Sequence, residues 1–308
     1  MAETPAIPAR PRDPRLLLVP LVLAPCLLWA YWSILLEMAN TWEHDPTYSH
    51  GFLVPLFALA ILWLRRDKYP ASVGPRPHWA GLALIALGAA MQLGGAYVFT
   101  RWISAIALLP YVAGIVLLAC GPAVLRWALP AIGFLAFMVP LPWSVEVVMK
   151  QPLQRVSTLA SAYMLQTLGL PALTEGNIIL LNDVELGIVD ACSGLKMLIV
   201  FFALSTAMAL LIQRRPWEKA LIVLSALPIA VLSNVVRITV TGVMHETVGR
   251  YWADLVFHDL AGWLMMPLAL GLLWCELALL SILIIEDEAF PPPAPSPVLA
   301  HRPAPARG

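Results

Sequence analysis

The chain has 308 residues, 60% of them hydrophobic and 12% charged, and its mean hydropathy of +0.79 lies far from that of a water-soluble domain. Nineteen Lys and Arg balance nineteen Asp and Glu, so the charge gives no sign of nucleic-acid binding or of a polybasic membrane-surface binder. The sequence reads as an integral membrane protein with the lipid bilayer as its solvent.

Residues 1–15, rich in Pro, Ala and Arg, form an N-terminal tail. The apolar run after it is too long for a signal-peptide core and lacks a small-residue cleavage site, so it reads as a retained span. A bilayer core takes about 20 apolar helical residues. By that test spans fall near 16–36, 48–64, 79–99, 103–120, 128–142, 195–212, 220–243 and 261–285. The expected fold is therefore an all-α membrane domain over residues 16–285 with about eight transmembrane helices. The second and fifth spans are short, and Pro130, Pro140 and Pro142 bracket the fifth. Residues 286–308, dominated by Pro and Ala, read as a disordered tail.

Cytoplasmic loops retain positive charge. With the N-terminus inside, 13 of the 19 basic residues fall on the cytoplasmic side and 6 at the outer boundary. Both termini are then cytoplasmic, and segments 37–47, 143–194 and 244–260 face out. The outer segment 143–194 opens as an amphipathic helix, with Val147, Val148, Leu153, Val156, Leu159 and Tyr163 near helical spacing and Lys150, Gln154 and Arg155 between them. Past Gly169-Leu170-Pro171, the β-branched run 177–189 carries a turn signal at Asn182-Asp183 and predicts a short hairpin leading toward Cys192.

Of four cysteines, Cys26 and Cys275 lie inside apolar runs and Cys120 ends one. No CxxC pair or Cys/His metal spacing occurs, so neither a disulfide framework, a metal site nor a cofactor is expected. Cys192, in Asp190-Ala191-Cys192-Ser193-Gly194-Leu195-Lys196, stands where a polar segment gives way to an apolar helix. Unpaired N–H groups at a helix start favour thiolate, and Lys196 one turn on adds to that bias.

Ionisable residues at membrane depth default to functional hypotheses. Arg237 lies 18 residues past Lys219, a helical rise of about 27 Å, which carries it to the outer boundary. His258, just before the last span, faces the same side. Thiol, imidazole and guanidinium from three helix ends are the inventory of cysteine acyl transfer. Cys192 would attack a carbonyl, His258 would move the thiol proton to the leaving amine, and Arg237 would hold the developing oxyanion. His50 and His245 are alternative bases, Asn234 could orient Arg237, and Asp190 or Asp259 could orient the base. Glu276, inside the last span, needs a partner or a proton. Taken one at a time, each of these groups also has an ordinary reading as packing, snorkelling or an interfacial hydrogen bond.

Four segments in order, Tyr48-Ser49-His50-Gly51-Phe52-Leu53-Val54-Pro55, Ala191-Cys192-Ser193-Gly194-Leu195, Asn234-Val235-Val236-Arg237-Ile238 and His258-Asp259-Leu260-Ala261-Gly262-Trp263, resemble the exosortase/archaeosortase family of multi-pass membrane cysteine transpeptidases. The resemblance implies a Cys192, Arg237, His258 site and favours His258 over His245. It also implies a bacterial inner-membrane location with the site on the periplasmic face. The substrates would be exported proteins bearing a C-terminal sorting signal: a Pro-Glu-Pro-like motif, a transmembrane helix and a basic cluster. The acyl group would pass to an unidentified surface acceptor, in bacteria usually with an exopolysaccharide connection, and any soluble accessory protein would be encoded separately. The rival readings are a polytopic transporter, whose polar residues should be spread through the membrane depth, and a non-catalytic component of exopolysaccharide assembly.

Overall fold

The computed structural model describes residues 15–70, 78–181, 184–187, 195–212, 214–249, 270–272, 274–276 and 278. These are mostly helical, as the apolar runs demand. The first expected span is two helices, α1 (Arg15–Ala30) and α2 (Trp32–His44), broken at the buried Tyr31. Tyr31 stacks edge-on to Tyr111 at 5.4 Å, and the Gln92 amide donates to the Ala30 carbonyl at the break. A 3₁₀ turn, Ser49–Phe52, then leads into α3 (Val54–Leu64), whose Pro55 sits in the first turn, where its missing N–H costs nothing.

Next come α4 (Ala80–Tyr97), α5 (Arg101–Ile106) and α6 (Leu108–Cys120), with α4 and α6 in close antiparallel contact. Glycines make that approach possible. A Cβ on Gly81 would lie 2.6 Å from the Gly114 carbonyl oxygen, and one on Gly88 would lie 2.7 Å from the Tyr111 ring. After α7 (Pro122–Phe134) and a 3₁₀ turn, Leu135–Met138, the chain bends by 81° into the 25-residue α8 (Trp143–Thr167). That is the helix expected to lie along the membrane surface.

Three short strands, β1 (Ala172–Glu175), β2 (Ile178–Leu181) and β3 (Val184–Gly187), form an antiparallel sheet in sequence order. The expected hairpin corresponds to β2 and β3, with Leu181 opposite Val184. The sheet gains a third strand because Gly176, at φ 61°, supplies the left-handed residue that a tight β1–β2 turn requires. Ala172, Ile179 and Leu181 are fully buried against Ala162 and Leu165 of α8. Helices α9 (Leu195–Leu211), α10 (Pro216–Leu224) and α11 (Ala226–Thr247) complete the described bundle. At the end of α11 the left-handed Gly249 returns its N–H to the Met244 carbonyl.

About eight crossings were expected; fewer qualify by length and composition. Among the described residues three helical segments are long and apolar enough, Ala80–Tyr97, Arg101–Cys120 and Pro216–Thr247, or four if the bent pair Pro122–Met138 and Trp143–Thr167 counts as one. The runs 48–64 and 195–212 become apolar helices of 11 and 17 residues. The first run divides at Tyr31, and the last span and both tails lie outside the described residues, apart from Arg15 and parts of 270–278.

Candidate active site

Helix α11 packs on both α8 and α9, so one face of it is enclosed at the end of the bundle that also holds the small sheet. Arg237 is on that face, 9% exposed, beside the fully buried Asn234. One turn of helix puts the two side chains in register, and Arg237 Nη2 donates to Asn234 Oδ1 at 3.0 Å. The next residue, Ile238, is the point where α11 meets the sheet cluster of Ile179, Leu181 and Leu165. Strands β1 and β2 are thus packed against the residue that follows Arg237 in the chain.

The start of α9 is fixed by Leu195, which is buried with Leu198, Phe201, Ala226 and Ala230. Lys196 follows it, half-buried, and its ammonium lies within electrostatic range of Arg237, of Asp45 and of His50. Cys192 and Asp190 precede Leu195 by three and five residues; they and His258 lie outside the described residues. Among the candidates, then, the structure brings together Arg237, Asn234, Lys196 and His50. His245, on the last turns of α11, is placed further along the same helix.

His50 holds two distant segments together. It is buried in the 3₁₀ turn ahead of α3, and its Nε2–H donates to the Phe137 carbonyl at 3.1 Å, across 87 residues of chain. Burial pulls its pKa below the usual histidine value, although the Phe137 and Thr47 carbonyls oppose that and Lys196 adds to it. The ring is neutral at neutral pH, with Nε2 committed to a backbone acceptor. Next to it, Gly51 is pressed against the Trp42 indole, whose Nε1–H donates to the Met138 carbonyl at 2.9 Å. One side of His50 borders an apolar cleft of about 210 Å³ between α3 and α9, lined by Val54, Phe57, Phe134, Phe201 and Leu204.

Sequence reasoning passed over three groups at this end. Tyr48 Oη accepts the Leu141 N–H at 3.2 Å, and its pKa is pushed up to about 12 by burial and by Glu146 and Asp45. Burial and Asp45 raise the Glu146 carboxyl, against the pull of Lys150. Asp45 Oδ1 itself accepts the Thr47 N–H at 2.8 Å. Asp45 and Glu146 had only position as a sequence signal, at the expected outer ends of the second and fifth spans, whereas Tyr48 also opens the motif Tyr48-Ser49-His50-Gly51. Glu276, for which no partner was foreseen, meets Ser225 Oγ at 2.6 Å.

The sequence profile of one protein family, described as transmembrane exosortase, matches residues 42–275. That stretch runs from Trp42, through the His50 turn and Arg237, to the last described helical residues. No curated protein and no solved structure matches the chain.

Proposed function

Because the chain belongs to the transmembrane exosortase family, we propose that it is a membrane cysteine transpeptidase that cleaves the C-terminal sorting signal of exported proteins. The observation that carries this reading is the enclosed Arg237, held by Asn234 and facing the start of α9, directly after the sequence segment that contains Cys192. In the proposed reaction the Cys192 thiolate adds to the scissile carbonyl beside a Pro-Glu-Pro-like motif, and Arg237 donates hydrogen bonds to the oxyanion. His258 takes up the thiol proton and returns it to the leaving amine, which departs with the signal's transmembrane helix. The thioester then passes to an acceptor amine or to water. Asn234 keeps the guanidinium in place, since a flexible arginine would lose part of its effect to reorganisation.

In this reading about eight spans place both termini in the cytoplasm of a bacterial inner membrane and the site on the periplasmic face, the arrangement that the distribution of basic residues favours. A substrate helix with an inside basic end would then present its outer flank at the depth of Arg237. The transporter reading gains no support from the described polar groups. Arg237, Lys196, Asp45, Tyr48, His50 and Glu146 gather at one end, and Glu276 is engaged by Ser225.

The test is co-expression with a reporter protein carrying such a signal, followed by intact mass of the reporter. Wild type should shorten it at the motif, while Cys192→Ala and Cys192→Ser, at normal membrane levels, should leave it whole. Equal shortening by Cys192→Ala would remove the nucleophile and the mechanism with it. The product mass separates transfer from hydrolysis.

A further inference from the structure

Helix α3 runs from the His50 turn to Leu64, and at its far end it shares an open cleft of about 530 Å³ with α7. Leu59, Leu62, Trp63, Arg66, Tyr69 and Trp127 line it. The aromatic groups are fixed by contacts of their own. Trp127 Nε1–H donates to the Arg65 carbonyl at 2.9 Å, and its ring meets Tyr69 edge-on at 5.1 Å. The Arg66 guanidinium lies over the Trp63 ring, 4.8 Å from its centroid. An aromatic face attracts a cation but is no substitute for a carboxylate or phosphate oxygen, so the N–H donors of Arg66 still require an acceptor. Arg65 Nε is buried and has no hydrogen-bond partner among the described residues. Nor do Arg65, Arg66 and Lys68 form an ion pair among those residues, and Asp67 offsets only one of their three charges.

Aliphatic walls, interfacial aromatic rings and uncompensated guanidinium groups in one cleft match the parts of a phospholipid with net negative charge. A soluble anion or an acidic protein segment would satisfy Arg66 but leave Leu59 and Leu62 uncovered. We propose that the cleft binds an anionic phospholipid of the adjoining leaflet, with its phosphate against Arg66 and an acyl chain along Leu59 and Leu62. The distribution of basic residues favours the cytoplasmic leaflet. A basic cluster on a substrate's cytoplasmic end has the wrong charge for this place, so substrate and lipid do not compete for it. The proposal stands apart from the transpeptidase reading, and its test needs no substrate.

The full chain in detergent would be titrated with phosphatidylglycerol and with phosphatidylcholine of the same acyl chains, and the first bound lipid followed by native mass spectrometry. Wild type should bind phosphatidylglycerol about tenfold more tightly than phosphatidylcholine. Arg66→Gln should weaken phosphatidylglycerol about fivefold and leave phosphatidylcholine within about twofold, a selective loss that a folding defect would not give. Arg66→Lys should keep most of the preference through its charge. Arg101→Gln, which removes an exposed arginine paired with Glu37 elsewhere on the surface, should change neither lipid. A preference unchanged in Arg66→Gln, absent from wild type, or lost equally in Arg101→Gln overturns the proposal. So does full displacement of the lipid by soluble glycerol 3-phosphate or by an acidic peptide, since the cleft then takes an anion without its acyl chain.

Discussion

A guanidinium that is 9% exposed must be held by polar atoms, and Asn234 Oδ1 is one of those that hold Arg237. Asn234 is itself fully buried, so its amide has one orientation rather than many. Asn234→Ala should therefore lower kcat by about tenfold with little change in KM, because the loosened guanidinium still meets the ground-state carbonyl but stabilises the oxyanion less. Asn234→Asp keeps the acceptor and should retain more activity than Asn234→Ala. Single-turnover processing of the reporter, alongside membrane levels of each variant, reads this directly. A loss confined to membrane levels would make Asn234 a folding residue only.

The element that depends most on one side chain is the 3₁₀ turn Ser49–Phe52. His50 ties it to Phe137, and Gly51 lets the Trp42 indole close over it on the way to the Met138 carbonyl. Since the folded pKa of His50 lies below its unfolded value near 6.5, the unfolded chain binds more protons in the window between them. The contribution of this group is complete above about pH 6.5 and is lost as the pH falls from there toward the folded pKa. Thermal unfolding in detergent between about pH 7.5 and 5 should show that loss, and His50→Gln, which keeps an N–H for Phe137, should flatten it. An unchanged slope in His50→Gln would assign the pH dependence to other groups. The sequence motif Tyr48-Ser49-His50-Gly51 marked this turn as important, and its histidine was a candidate base. What it could not carry was the partner, a backbone carbonyl 87 residues away, because backbone acceptors leave no trace in residue identity. That Arg237 falls on a helix was legible for the opposite reason: the apolar run around it is local in the chain, and it forms α11.

At the scale of the whole molecule, apolar runs gave the order of the helices, but length alone did not give their breaks. Tyr31, Ala107 and Ser225 interrupt runs whose composition is continuous, and tertiary contacts decide where the bends fall. The break at Ser225 also answers what Glu276 does. Ser225 Oγ lies 2.8 Å from the Ile222 carbonyl and 2.6 Å from Glu276 Oε2, yet a hydroxyl has one hydrogen to donate. Both contacts are satisfied together when the carboxyl carries a proton and donates to Ser225, which in turn donates to Ile222. Glu276 then acts as a neutral clamp between the last helical segment and the α10–α11 bend. Glu276→Gln, whose amide can donate to the same oxygen, should keep reporter processing within about twofold of wild type, whereas Glu276→Ala should cost about 1–3 kcal/mol of stability by removing the donor. A proton-coupled transporter would require a carboxyl that titrates and would fail with glutamine. Loss of processing in Glu276→Gln at normal membrane levels would mean that ionisation of this group belongs to the cycle, and the clamp would have to be abandoned.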